Sequence, residues 1–142
     1  MIYIMRGLPG SGKTTWIANS LLKKKIEIFS ADDFHTFDGK YLYDPKRASY
    51  AHNQCFKCYM SAVFVEKHKD FVVDNTNTTL VELAPYVRIA EAFGIDYEII
   101  YLMCSVEKSL LRNVHNVPAN TILKMHANLQ NEIVQWKQRV IP

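Results

Sequence analysis

The sequence predicts an α/β fold: three layers, α/β/α, with a mainly parallel sheet of about four strands and a short helical lid. Three observations predict it. Strand-like and helix-like stretches alternate along the chain, which implies parallel pairing through right-handed crossovers. The runs at 2–5, 71–73 and 99–102 are almost continuously apolar, as strands covered on both faces are. Residues 7–14, Gly-Leu-Pro-Gly-Ser-Gly-Lys-Thr, match G-x-x-x-x-G-K-[ST] at every fixed position, and they lie between a strand-like run and a helix-like one.

Taken in order, Ile2-Tyr3-Ile4-Met5 is a short β-prone run, and Thr14 to Leu22 reads as the first helix. Lys23-Lys24-Lys25 suits the solvated last turn of that helix, where cations meet the negative end of the dipole. Ile26 to Ser30 is a second strand. Asp32 to Asp44 is a polar and aromatic loop with a turn at Asp38-Gly39. Pro45 opens a long helix through about Lys69, in which Cys55 and Cys58 read as a packed face. Phe71-Val72-Val73-Asp74 is the third strand. Thr79 or a neighbour caps the next helix, which runs to Phe93 and stops at Gly94. Ile95 to Met103 is the fourth strand, and Cys104 at its end is expected in the core. Ser105 caps a short helix leading to Arg112. Pro118 or Ala119 then starts a final helix that runs to the C-terminus.

The bulk properties set limits. With 142 residues, 49% of them apolar, the chain reads as one folded domain over 1–142 and not as a disordered segment. Three cysteines is an odd count, which argues against a disulfide framework, and no second cysteine pair completes a zinc set. A formal charge of +3 permits a polyanionic partner without demanding one. The N-terminal apolar run is only a strand long, and nothing approaches the roughly 18 apolar residues of a membrane span. A reduced, cytoplasmic setting without membrane contact is the expectation.

The residues that carry chemistry cluster at four strand ends. A strand, a glycine-rich turn and a helix N-terminus make a phosphate cradle, in which backbone N–H groups converge on an anion and the helix dipole favours it. Gly7, Pro9, Gly10, Ser11, Gly12, Lys13, Thr14 and Thr15 form that segment. Lys13 would reach the β- and γ-phosphates, and the Thr14 hydroxyl would ligate Mg²⁺. ATP and Mg²⁺ are therefore the expected cofactors, in a P-loop NTPase fold. Asp32 and Asp33, just past the second strand, stand where an acceptor would face the γ-phosphate. Asp32 is expected to be the base, although an Asp pair after a strand also suits a cap or turn. Asp74 ends an apolar strand in the manner of a Walker B carboxylate, where it would support the metal, and Asn77 would lie on a polar floor; a strand-end turn fits both. Arg112 is placed to neutralise charge on a transferring phosphoryl group, or else to cap a helix as a surface arginine. His115 follows in the lid loop as a weaker candidate. His35, Lys40, Tyr41, Tyr43, Lys46, Arg47 and His52 interleave cations with rings, which suits the end of a single-stranded nucleic acid as well as an ordinary exposed loop.

Four motifs occur here in order: Gly-Leu-Pro-Gly-Ser-Gly-Lys-Thr-Thr-Trp, Ala-Asp-Asp-Phe, Val-Val-Asp-Asn-Thr-Asn, and Leu-Arg-Asn followed by Val-Pro. In this the chain resembles the kinase domain of bacteriophage-type polynucleotide 5′-hydroxyl kinase and the related zeta-toxin-like and Nedd4-binding-protein-like kinase domains. The resemblance implies ATP and Mg²⁺ on Lys13 and Thr14, Asp32 as general base for a 5′-hydroxyl, Asp74 supporting the phosphate site, and Arg112 in the lid. It also implies the 5′-hydroxyl end of RNA or DNA as partner. Two positions depart from the pattern. His35 stands where the phage-type enzyme carries an arginine three residues after its base, and the shorter lid offers His115 in place of a further arginine. The phosphatase domain fused in the phage enzyme has no counterpart in this sequence, so the phosphorylating half-reaction alone is expected. Two alternatives stand beside this reading: a kinase of a nucleoside, sugar or other small metabolite, and an ATP-switched binding module for nucleic acid or protein.

Overall fold

The computed structural model describes residues 1–21 and 25–142. The helix-end reading of Lys23 and Lys24 therefore lies outside the described residues. Among the described residues, five strands form one parallel sheet in the order β2-β5-β1-β6-β7. They are β1 (Ile2–Arg6), β2 (Ile26–Phe29), β5 (Asp70–Val73), β6 (Tyr97–Leu102) and β7 (Gln138–Ile141). The central strand β1 is buried along its whole length, with Ile2 opposite Phe71 on one side and Tyr97 on the other.

Alternation along the strands divides the core between two faces. Ile2, Ile4, Phe71, Val73 and Ile99 meet α2 (Ala48–Val65) and α3 (Leu80–Ala92) on one face. Tyr3, Met5, Val72 and Ile100 meet α1 (Lys13–Leu21) on the other. A third cluster joins Ile122 and Leu129 of α5 (Ala119–Asn131) to Leu8 and Tyr101. Between β6 and α5 lies the short α4 (Val106–Leu111). Thr79 caps α3 in a full capping box with Glu82, a device generally worth about 1 kcal/mol, and Gly94 at φ +63° ends it. No described helix is long and apolar enough to cross a membrane.

The sheet has five strands where about four were predicted, because the last helix does not run to the C-terminus. It ends at Asn131, and β7 pairs with β6. Long-range contacts override the helical pattern there. The Glu132 carboxylate accepts the Leu80 N–H, at the start of α3 (2.7 Å). Val134 and Trp136 pack against the α2–α3 core, and Ile141 packs on the opposite face. The long helix is also shorter than its pattern: a 3₁₀ turn at Pro45–Arg47 precedes α2, which stops at Val65. Within the loop after β2, a 3₁₀ helix (Ala31–His35) leads to a two-stranded hairpin, β3 (Thr36–Phe37) and β4 (Lys40–Tyr41). Its turn is the Asp38-Gly39 pair, both at positive φ, as a two-residue hairpin turn requires. Cys55 is buried in α2 and Cys58 is exposed; Cys104 is only half-buried rather than in the core.

Candidate active site

The glycine-rich loop leaves the carboxyl end of β1, between neighbours β5 and β6, where open α/β sheets bind ligands. Its glycines are required by close approach. A Cβ on Gly7 would lie 2.7 Å from the Leu102 carbonyl oxygen, and one on Gly10 would lie 2.8 Å from Arg112 Cβ. Lys13 Nζ donates to the carbonyls of Gly7 (3.1 Å) and Leu8 (2.9 Å), so it curls over its own loop. Burial pushes this ammonium down from its ordinary pKa, and Asp74 and Asp32 pull it back up. The Ser11 hydroxyl is buried beside the loop with no hydrogen-bond partner among the described residues.

Asp74, just past β5, accepts a hydrogen bond from the Thr14 hydroxyl (3.2 Å). Burial raises its pKa, while Lys13 and the Thr14 hydrogen bond lower it. Lys13 and Asp74 are thus both partly stripped of water. Two hard oxygen donors this close, beside a lysine and a helix N-terminus, have the chemistry that Mg²⁺ on a polyphosphate needs.

Asn75 ties this edge to the next. Its Oδ1 accepts the Ala31 N–H (2.8 Å), and its Nδ2 donates to the Tyr86 hydroxyl (3.4 Å) and Cys55 Sγ (3.5 Å). Asn77, predicted at the substrate, is instead 1% exposed at φ +42°. Its Nδ2 donates to the Met5 carbonyl (2.9 Å), and its own carbonyl accepts from Arg6 Nε (2.8 Å). It braces the loop against β1 and does not line the cavity. Arg6 itself is buried, with its remaining hydrogen bonds on the Thr78 carbonyl and Gln138 Oε1.

The cavity wall past β2 is built from side chains. Ser30 caps the 3₁₀ helix through the Asp32 N–H, which presents the Asp32 carboxylate half-exposed, at 53%. Its Oδ1 accepts from the Tyr41 hydroxyl (3.2 Å), and its Oδ2 lies 3.7 Å from His115 Nε2. The Tyr41 and His115 rings stack at 3.8 Å. Asp33 lines a second, more apolar cavity of about 600 Å³ with Ile17, Leu21, Ile26 and Ile28, and burial followed by the Asp32 charge raises its pKa. His35, predicted as an acceptor contact, is 3% exposed and packs its ring against Tyr43 (5.0 Å) and Tyr41 (6.0 Å). It supports the hairpin from beneath and does not reach the main cavity.

Arg112 caps the C-terminal end of α4, directly against Gly10. The Ser109 hydroxyl donates to the Pro9 carbonyl (2.6 Å), which tethers that helix to the phosphate loop. Asn113 closes the lid loop by bonding both backbone groups of Val117. One cavity of about 460 Å³ collects Lys13, Thr14, Thr15, Asp32, Asp74, Arg112 and His115, with Pro9, Gly10 and Gly12 in its wall. Gly7 and Ser11 stand behind that wall. Sequence reasoning missed Ser109, Asn113 and the strut role of Asn75. A serine in a helix and an asparagine in a loop carry no spacing signal that would have found them.

A family model described as AAA domain matches residues 2–131. The chain belongs to that family. This AAA domain is 28% identical to human NEDD4-binding protein 2 over 138 residues, covering 92% of this chain and 8% of that protein. It is 27% identical over 113 residues to the bifunctional polynucleotide phosphatase/kinase of Schizosaccharomyces pombe, covering 80% of this chain and 24% of that one. The chain thus spans under a quarter of the length of either curated relative. Among solved structures, it superposes on a chain of the Pnkp1/Rnl/Hen1 RNA repair complex with a TM-score of 0.71 at 22% identity, covering 91% of this chain and 43% of that chain. On a gluconokinase from Sinorhizobium meliloti 1021 the TM-score is 0.62 at 16% identity, covering 98% of this chain and 80% of that chain. These superpositions show a shared α/β fold.

Proposed function

We propose that this AAA domain, working as one unit over residues 1–142, is an ATP-dependent kinase that phosphorylates the 5′-hydroxyl of a polynucleotide. The observation that carries the reading is the half-exposed Asp32 carboxylate facing the same cavity as Lys13 and Arg112. Asp32 orients the acceptor hydroxyl and takes its proton as the oxygen attacks the γ-phosphorus in line. The bond from that phosphorus to the β,γ-bridging oxygen breaks, and ADP leaves. Lys13 leaves the carbonyls of Gly7 and Leu8 for the β- and γ-phosphates, and the Arg112 fork neutralises the equatorial oxygens. Thr14, with Asp74 behind it, would hold Mg²⁺, which supplies charge neutralisation on the β- and γ-phosphates when bound. The relationship to a polynucleotide phosphatase/kinase supports this acceptor. A reducing cytoplasmic setting suits an ATP-consuming domain with three unpaired cysteines.

A small hydroxyl acceptor is the second reading. The observation that favours it is the apolar cavity of about 600 Å³, which shares Thr14, Asp32 and Asp74 with the main one. Incubation with γ-labelled ATP, 5′-hydroxyl oligonucleotides and a panel of nucleosides and sugars separates the two. Label on the oligonucleotide 5′ end, lost in Asp32→Ala, is the expected result. Label on small acceptors alone would transfer the assignment to the second reading, and no turnover with any acceptor would leave an ATP-switched module.

A further inference from the structure

The hairpin β3–β4 and the lid loop enclose a further groove, which shares Tyr41 and His115 with the frame of Asp32. It is a cavity of about 470 Å³ lined by Tyr41, Leu42, Tyr43, Val114, His115 and Asn116. It adjoins the main cavity, and Val114 and His115 line both. Its floor is aromatic and held in place. Tyr43 is 40% exposed, and the buried His35 ring braces its ring at 5.0 Å. The Leu42 N–H is tied to the His35 carbonyl (2.7 Å), which fixes the backbone between the two tyrosines. Val114 at 85% exposure and the exposed Leu42 give the groove open apolar walls.

Cations bracket the groove-lining tyrosines in the sequence. Lys40 and Lys46 are exposed on either side of residues 41–43 in the chain, and Arg47 lies over the rings of Phe37 (4.8 Å) and Tyr50 (5.2 Å). Carboxylates stand there too: Asp38 in the hairpin turn, Asp44, whose Oδ1 accepts the Lys46 N–H, and Asp32, which the groove-lining Tyr41 and His115 contact from the catalytic side at 3.2 and 3.7 Å. A pre-oriented ring, apolar walls and flanking lysines are what a base and its phosphates need from a single-strand site.

We propose that this groove binds the second nucleotide of a single-stranded acceptor, its base stacked on Tyr43, while the 5′-hydroxyl of the first nucleotide sits at Asp32. The proposal rests on the polynucleotide kinase reading and adds to it a direction: the strand leaves the catalytic cavity past His115 and along the hairpin. The energy of stacking a base on an aromatic ring implies that a second nucleotide raises kcat/KM about tenfold or more.

The test compares a nucleoside 3′-phosphate with the matching 5′-hydroxyl dinucleotide as acceptor. It uses the full chain and the variants Tyr43→Phe and Tyr43→Leu, which keep the bulk over His35. The dinucleotide is expected to be better by about tenfold, a gain kept in Tyr43→Phe and lost in Tyr43→Leu. Equal kcat/KM for the two acceptors, or a gain that survives Tyr43→Leu, overturns the groove and leaves the kinase reading standing. Transfer to neither acceptor overturns both.

Discussion

The two halves of the cavity are held together by different means. On the donor side, the phosphate loop is backbone: Gly7 and Gly10 admit neighbours that a Cβ would strike, and the helix N-terminus supplies the field. On the acceptor side, Asp32 is framed by side chains from separate stretches, Tyr41 of the hairpin and His115 of the lid. A backbone cradle holds a polyphosphate through N–H groups that every residue but proline carries. A frame of side chains is particular to one acceptor. The contrast predicts that loss of the donor-side lysine weakens ATP binding and transfer together, while acceptor-side changes alter the transfer and spare ATP binding.

The largest expected effect is Lys13→Ala, which should cut transfer by about 10³-fold or more and weaken ATP binding measured by calorimetry. Asp32→Ala is its counterpart: transfer should fall by about 10²- to 10⁴-fold with ATP affinity near the parent's. ATP affinity lost equally in both variants would erase the distinction between the halves. Gly10→Ala comes next, because its Cβ would push on Arg112 and shift the lid; roughly 10²-fold in kcat is expected. A normal rate in that variant would mean that lid placement against the loop is unimportant.

Tyr41→Phe sharpens the acceptor side. It removes the hydroxyl on Asp32 and keeps the ring under His115, so kcat should fall about tenfold while KM for ATP stays the same. The smallest effect concerns pH. Burial holds the His35 imidazole below its ordinary pKa of 6.5, so the unfolded chain takes up a proton that the folded chain refuses. Stability is therefore full above pH 6.5 and declines as pH falls below it. Urea titrations at neutral and mildly acidic pH should show that decline, and His35→Asn should flatten it. An unchanged pH slope in the variant would place the titrating group elsewhere.

Most of the donor half was legible in the chain itself. The spacing of Gly7, Gly12, Lys13 and Thr14 encodes a local structure, since a tight turn into a helix depends on neighbours in sequence. Asp74 was legible for the same reason: three apolar residues followed by a carboxylate mark the end of a buried strand. The thirteen-residue helix of α3 was equally plain, from Thr79 to Gly94, because caps are local signals. Asn77 and His35 were misjudged because a polar residue near a site looks the same in sequence whether it faces the cavity or supports it. Burial separates those cases, and burial is set by distant parts of the chain.

By itself, then, the sequence determined an α/β sheet with a phosphate loop at its centre and carboxylates at the ends of its second and third predicted strands. These follow from hydrophobic period and turn chemistry, which act over a few residues. The tertiary structure alone decided that residues 138–141 join the sheet, that Ser109 ties the lid to Pro9, and that Tyr41 and His115 meet over Asp32. Those contacts join residues far apart in the chain, and no local preference encodes them. They form because closing the fold buries apolar surface and leaves each polar group in need of a partner.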